Sequence, residues 1–145
     1  YAIIGHNSKG PNDVSFNVFK DFDETYTKEI EKSLGLISPI QNTRTGTIYR
    51  HVSSYFGKRT AKKKIHVDIM TSLPTDVLYE GENVIFDMID GARLERARNI
   101  SLFALCLNPE VSHESLRKIY GTGNFLVADD YKRLPQTIID LYSLI

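Results

Sequence analysis

The eight residues Ile100-Ser101-Leu102-Phe103-Ala104-Leu105-Cys106-Leu107 form a nearly unbroken apolar run. A run of this length and character is what a β-strand covered on both faces requires. Its flanks say what covers it. A strand is expected over Ile65–Thr71 and a helix over Glu82–Arg98, with Val84, Ile85, Met88, Ile89 and Ala92 on one face. A short helix follows over Ser112–Tyr120, with Ser112 as its N-cap, and then a strand over Asn124–Val127. A last amphipathic helix covers Leu134–Leu144, with Pro135 in its first turn, where proline is tolerated. Strict alternation of strand and helix predicts an α/β fold, a parallel sheet with helices on both faces.

The first half reads differently. Tyr1–Ser8 and Val14–Phe19 are two strands separated by the turn cluster Ser8-Lys9-Gly10-Pro11-Asn12-Asp13, and so predict a hairpin. Helices are expected over Glu24–Leu34, stopping at Gly35, and over Thr47–Phe56, ending at Gly57. Gly91 inside the Glu82–Arg98 helix costs about 1 kcal/mol relative to alanine. With 145 residues, the whole chain, 1–145, suits a single domain.

Charge narrows the function classes. Eighteen Lys+Arg balance eighteen Asp+Glu, which argues against a nucleic-acid coat and against an acidic disordered tail. The single cysteine, Cys106, lies in the apolar run, where it reads as a buried structural thiol. One thiol makes neither an internal disulfide nor a cysteine zinc site, and the chain fits a reducing, cytoplasmic setting. No apolar stretch is long enough to span a membrane, and no signal peptide is visible. Lys58–Lys64 carries five basic residues in seven and reads as a solvated loop or a landing site for an acidic partner. Asp21, Asp23 and Glu24 read as charge at a helix N-terminus.

Catalytic signatures are sparse. The sequence has no phosphate-binding glycine loop, no H-E-x-x-H and no G-x-S-x-G. Gly121-Thr122-Gly123 follows a helix and reads as its C-cap. Two loops hold the remaining chemistry: Gln41–Thr47, which opens a helix, and Thr71–Asp76, which leaves the carboxyl end of a strand. Ligands of open α/β sheets bind at that end, and hydroxyls with a carboxylate suit a hard cation.

These loops carry a resemblance. Val18-Phe19-Lys20-Asp21-Phe22-Asp23-Glu24, Asn42-Thr43-Arg44-Thr45-Gly46-Thr47-Ile48-Tyr49-Arg50-His51, Ile100–Leu107 with Asn108-Pro109-Glu110, Tyr120-Gly121-Thr122-Gly123-Asn124-Phe125 and Arg133-Leu134-Pro135 form an ordered set. That set resembles one group of von Willebrand factor A (vWA) domains. The group is similar to the nitric-oxide reductase activation protein of the D type, and includes the matching Rubisco-activation subunit. The resemblance implies a doubly wound, Rossmann-like three-layer sandwich, mostly parallel with one antiparallel edge hairpin strand. It also implies a metal-ion-dependent adhesion site and a non-catalytic, protein-binding role beside a MoxR-type AAA+ ATPase that remodels a metalloenzyme client.

Carried over residue by residue, the site is degenerate. Thr43 aligns with the metal-site threonine, and Asp76 and Pro74 match the third loop. Thr71 stands where that loop has its ligand aspartate, and Ser72 where it has glycine. The D-x-S-x-S motif is missing, since Asp13-Val14-Ser15-Phe16-Asn17 follows a turn. Thr43 and Asp76 are thus expected to be a remnant metal site that binds Mg2+ weakly or not at all. Asn42, Thr43, Arg44, Ser72 and Thr75 are the expected partner-binding residues. The resemblance places the group's first strand and helix before Tyr1. Strands Tyr1–Ser8 and Ile65–Thr71 should therefore pair directly, leave a gap, or be completed by another chain, and self-association through the exposed sheet edge is one such route. His66 and Asp68 share one face of a strand expected to be buried, so either they pair or that face is open. Two other readings remain: a metal-dependent enzyme using Thr43, His66, Asp68 and Asp76, and a nonfunctional fragment of a larger protein.

Overall fold

Residues 1–128, 132 and 134–143 are described by a computed structural model of the chain. The order is β1 (Ile3–Ser8), β2 (Val14–Lys20), α1 (Lys28–Gly35), α2 (Thr45–Gly57), β3 (Lys64–Met70), α3 (Glu82–Ala97), β4 (Ile100–Cys106), α4 (His113–Tyr120), β5 (Phe125–Val127) and α5 (Leu134–Ser143). Each expected element is present within a few residues. Leu144 and Arg133 lie outside the described residues.

The apolar run becomes β4, the middle of a three-stranded parallel sheet in the order β3-β4-β5. Leu102, Ala104 and Cys106 face a core shared with Tyr49, Met88, Ala92, Leu116, Ile119 and Tyr120. Full burial of each large apolar side chain there contributes about 1.5–3 kcal/mol. Cys106 is buried, as its surroundings require. Ser112 caps α4 by accepting the Ser115 N–H at 3.3 Å.

Gly91 has a packing reason. A Cβ there would lie 2.8 Å from Tyr49 Cβ and 2.9 Å from the Gly46 carbonyl oxygen, while a Cβ on Gly46 would lie 2.6 Å from the Asp87 carbonyl oxygen. The two glycines let the backbones of α2 and α3 touch, and the lost helix propensity is the cost of that approach.

Three expectations change. β1 and β2 do form an antiparallel hairpin, but it is a separate two-stranded sheet rather than an edge of the parallel one. β1 and β3 exchange no ladder hydrogen bonds and stand on opposite walls of a slot of about 1340 Å3. Direct pairing, one of the three outcomes open to these strands, does not occur. Second, α1 starts at Lys28, capped by Thr27, not at Glu24. The acids upstream close their own turn instead: Glu24 Oε2 accepts the Asp21 N–H at 2.7 Å and Asp21 Oδ1 accepts the Phe22 N–H at 2.5 Å. Third, the basic loop is not merely solvated, because its Arg59 reaches the acidic segment, Asp23 at 2.5 Å and Asp21 at 3.2 Å.

Candidate functional site

The two loops singled out by their chemistry meet at the carboxyl ends of β1 and β3, and Asp76 is the knot between them. Its Oδ2 accepts from Ser8 Oγ at 2.7 Å and from Arg44 Nε at 2.7 Å. Its Oδ1 accepts from the Val77 N–H at 2.7 Å and from Asn42 Nδ2 at 3.3 Å. Burial opposes the charge, but the bonds from Ser8, the Val77 N–H, Arg44 and Asn42 outweigh it and hold the carboxyl down at about 2. Arg44 also donates to the Val77 carbonyl and lies 4.7 Å from the centre of the Tyr79 ring. Backbone bonds finish the knot: Thr43 N–H donates to Thr75 O at 3.0 Å, and Ser8 and Asn42 pair as an antiparallel bridge.

This arrangement does not fit a divalent cation. Both oxygens of Asp76 are taken, one of them by a guanidinium, so the cation at this carboxylate is the chain's own. Among the described residues no group of three His, Cys, Asp or Glu converges as a metal cluster. Asn42, Ser72 and Thr75 remain exposed around the knot and Thr43 is half-buried, so these four and Arg44 share one end of the molecule. Sequence reasoning missed Ser8, because a serine closing a strand carries no sign of what it will meet. It also missed Leu78, which is 91% exposed at φ 56° on the turn after Asp76.

His66 and Asp68 do not pair with each other. His66 Nδ1 lies 2.9 Å from Oε1 of Glu95, a carboxylate with no exposure. Burial disfavours the imidazolium, but the hydrogen bond and charge of Glu95, with Asp68, raise its pKa above the usual 6.5. Asp68 Oδ2 accepts both phenols, Tyr49 at 2.5 Å and Tyr120 at 2.7 Å. Burial and the Asp68 carboxylate push both phenols well above 10. On the opposite wall, burial lowers the pKa of His6. Thr43 and Asp76 therefore belong to one hydrogen-bonded group, and His66 and Asp68 to two others on the β3 wall of the slot. The Glu95 partnership was invisible in the sequence, since Glu95 sits 29 residues away on another element.

No family model matches the chain. It is similar to two proteins named NorD, from Brucella suis biovar 1 and Brucella melitensis biotype 1, each 26% identical over 99% of this chain. It is likewise 27% identical, over 98% of its length, to the uncharacterized protein PA0525 of Pseudomonas aeruginosa. The matched segment is 23% of each of these relatives, so the chain spans about a quarter of their length. Among the described residues no helix is long and apolar enough to cross a membrane. By sequence, this α/β chain is thus similar to a segment, about a quarter in length, of proteins named NorD.

Proposed function

We propose that this chain is a non-catalytic, vWA-like protein-docking module that serves nitric-oxide reductase activation beside a MoxR-type AAA+ ATPase. The observation that carries the reading is the similarity to NorD proteins along essentially the whole chain. The hairpin and the parallel sheet, divided by a slot, are compatible with a doubly wound three-layer sandwich in which a strand is wanting between β1 and β3. Asn42, Thr43, Arg44, Ser72 and Thr75 would meet the partner, with the side chains of Asn42 and Arg44 held by Asp76 and the Thr43 backbone held by Thr75.

The test is reconstitution. Nitric-oxide reductase is produced with a MoxR-type ATPase and either the longer polypeptide carrying this segment or a version with Asn42, Ser72 and Thr75 replaced by alanine. Activation of the reductase with the unaltered protein, reduced at least tenfold by the replacements, is expected. Full activation without the segment overturns the reading. A metal-dependent hydrolase would instead show turnover of a phosphoester by this chain alone, abolished by Asp76→Ala.

A further inference from the structure

Asp76-Val77-Leu78-Tyr79 is a two-residue turn closed by a pair of backbone bonds. The Asp76 N–H donates to Tyr79 O at 3.0 Å, and the Tyr79 N–H donates to Asp76 O at 2.9 Å. Its second central residue lies at φ 56°, a region that glycine and asparagine occupy at little cost. The chain has a leucine there, with 91% of it exposed, and Val77 beside it is 58% exposed. Two penalties therefore fall on Leu78, a left-handed backbone with a Cβ and an apolar side chain in water. An exposed leucine alone is ordinary. One held in a strained backbone is not, because asparagine at the same position would remove both penalties, and local rules broken in this way mark functional positions.

The turn has a rigid base. Asp76 Oδ1 accepts the Val77 N–H at 2.7 Å, and Arg44 donates to the Val77 carbonyl. Arg44 also lies against the ring of Tyr79, a buried side chain whose hydroxyl donates to Asp87 Oδ2 at 2.7 Å. A tip already fixed in this way loses little freedom when it binds. Its flanks are acidic. Residues 71–90 include five acids and no lysine or arginine. Arg44 pairs with Asp76, Arg50 with Asp87 and Arg93 with Asp90. Glu80 and Glu82 are exposed, and neither forms an ion pair among the described residues. An apolar tip between unmatched carboxylates complements an apolar pocket with a basic rim. The same carboxylates disfavour an anionic lipid surface.

We propose that Val77 and Leu78 are an apolar anchor that enters a pocket on a partner protein, lined by apolar side chains and rimmed by lysine or arginine. The inference rests on the docking role proposed above and adds to it the two residues that penetrate the partner.

Calorimetry measures binding of the purified MoxR-type ATPase, and separately of the reductase, to the polypeptide carrying this chain, alongside a thermal melt. Leu78→Asn is expected to raise Tm and yet weaken binding of one of the two by about tenfold or more, a split that a purely structural role would not produce. Leu78→Met keeps an apolar side chain and is expected to bind within about threefold of the unaltered protein. Binding unchanged by Leu78→Asn overturns the anchor and leaves the docking role standing, whereas no binding of either protein by the unaltered polypeptide overturns both. A lower Tm for Leu78→Asn overturns the strain on which the anchor rests. Glu80→Gln combined with Glu82→Gln is expected to weaken binding by about threefold at low salt and by less at high salt, and unchanged affinity overturns the basic rim. Sedimentation and vesicle flotation read the other occupants. A dimer that Leu78→Asn dissociates assigns the pocket to a second copy of this chain, and flotation with phosphatidylserine vesicles that Leu78→Asn abolishes assigns the tip to a membrane. Either result overturns the partner-protein pocket.

Discussion

Neighbours shift both Asp76 and His66 towards their charged forms, yet the two make opposite demands on pH. Asp76 has a folded pKa of about 2, below its unfolded value of about 3.9, so its contribution is fully present above about pH 4 and is lost as pH falls through 2. His66 has a folded pKa above 6.5, so its contribution is fully present below 6.5 and is lost as pH rises through the folded value. His6, depressed by burial, works against folding below 6.5. NMR titration is expected to find His66 titrating above 6.5 and His6 below it, and the reverse order would refute the Glu95 pairing. Removing Glu95 leaves His66 buried without its hydrogen-bond partner, so Glu95→Ala should cost about 3 kcal/mol in urea unfolding at pH 6. Leu78 offers a test of the other sign. An exposed leucine in the left-handed region is strained, and Leu78→Asn should raise stability by about 1 kcal/mol.

At the scale of elements, the α2–α3 crossing is the place where local preference and packing disagree. By propensity alone Gly91→Ala would stabilise α3 by about 1 kcal/mol. The new methyl would press on Tyr49 Cβ and on the Gly46 carbonyl, and overpacking of that kind costs about 1–3 kcal/mol. A lower Tm for Gly91→Ala is therefore expected, and a higher one would mean that the helices separate more easily than drawn. The sequence made the glycine legible as a cost but not as a contact, because the contacting partner is 42–45 positions away on another helix. Elements with a strong local signature were legible: β4 by its unbroken apolar run, α4 by its serine cap, the hairpin by its turn. The start of α1 was not, because Asp21 and Glu24 satisfy each other's backbone in a turn that composition cannot tell from a helix N-terminus.

For the whole molecule, the division into two sheets sets where the fold is weakest. β4 is covered on both sides, whereas β1 is half-buried throughout until Ser8. Native-state hydrogen exchange of this chain should find the β4 amides opening only on global unfolding and those of β1 and β2 opening at lower free energy. Uniform protection would contradict the two-sheet description. The candidate site was legible in outline, since Asn42, Thr43, Arg44, Thr75 and Asp76 do come together. Its electrostatics were not, because a sequence shows a lone carboxylate and cannot show that an arginine will lie on it.

The knot at Asp76 also has a place in time. It joins residues 32, 34 and 68 positions apart, contacts that reward the chain only after long loops have closed. Bonds of that kind are absent from most of the folding route. Asp76→Asn is therefore expected to leave the refolding rate nearly unchanged and to speed unfolding. Ser8, Arg44 and Asp76 would then act less as builders of the fold than as a late fastening that sets how long the molecule, once folded, stays closed.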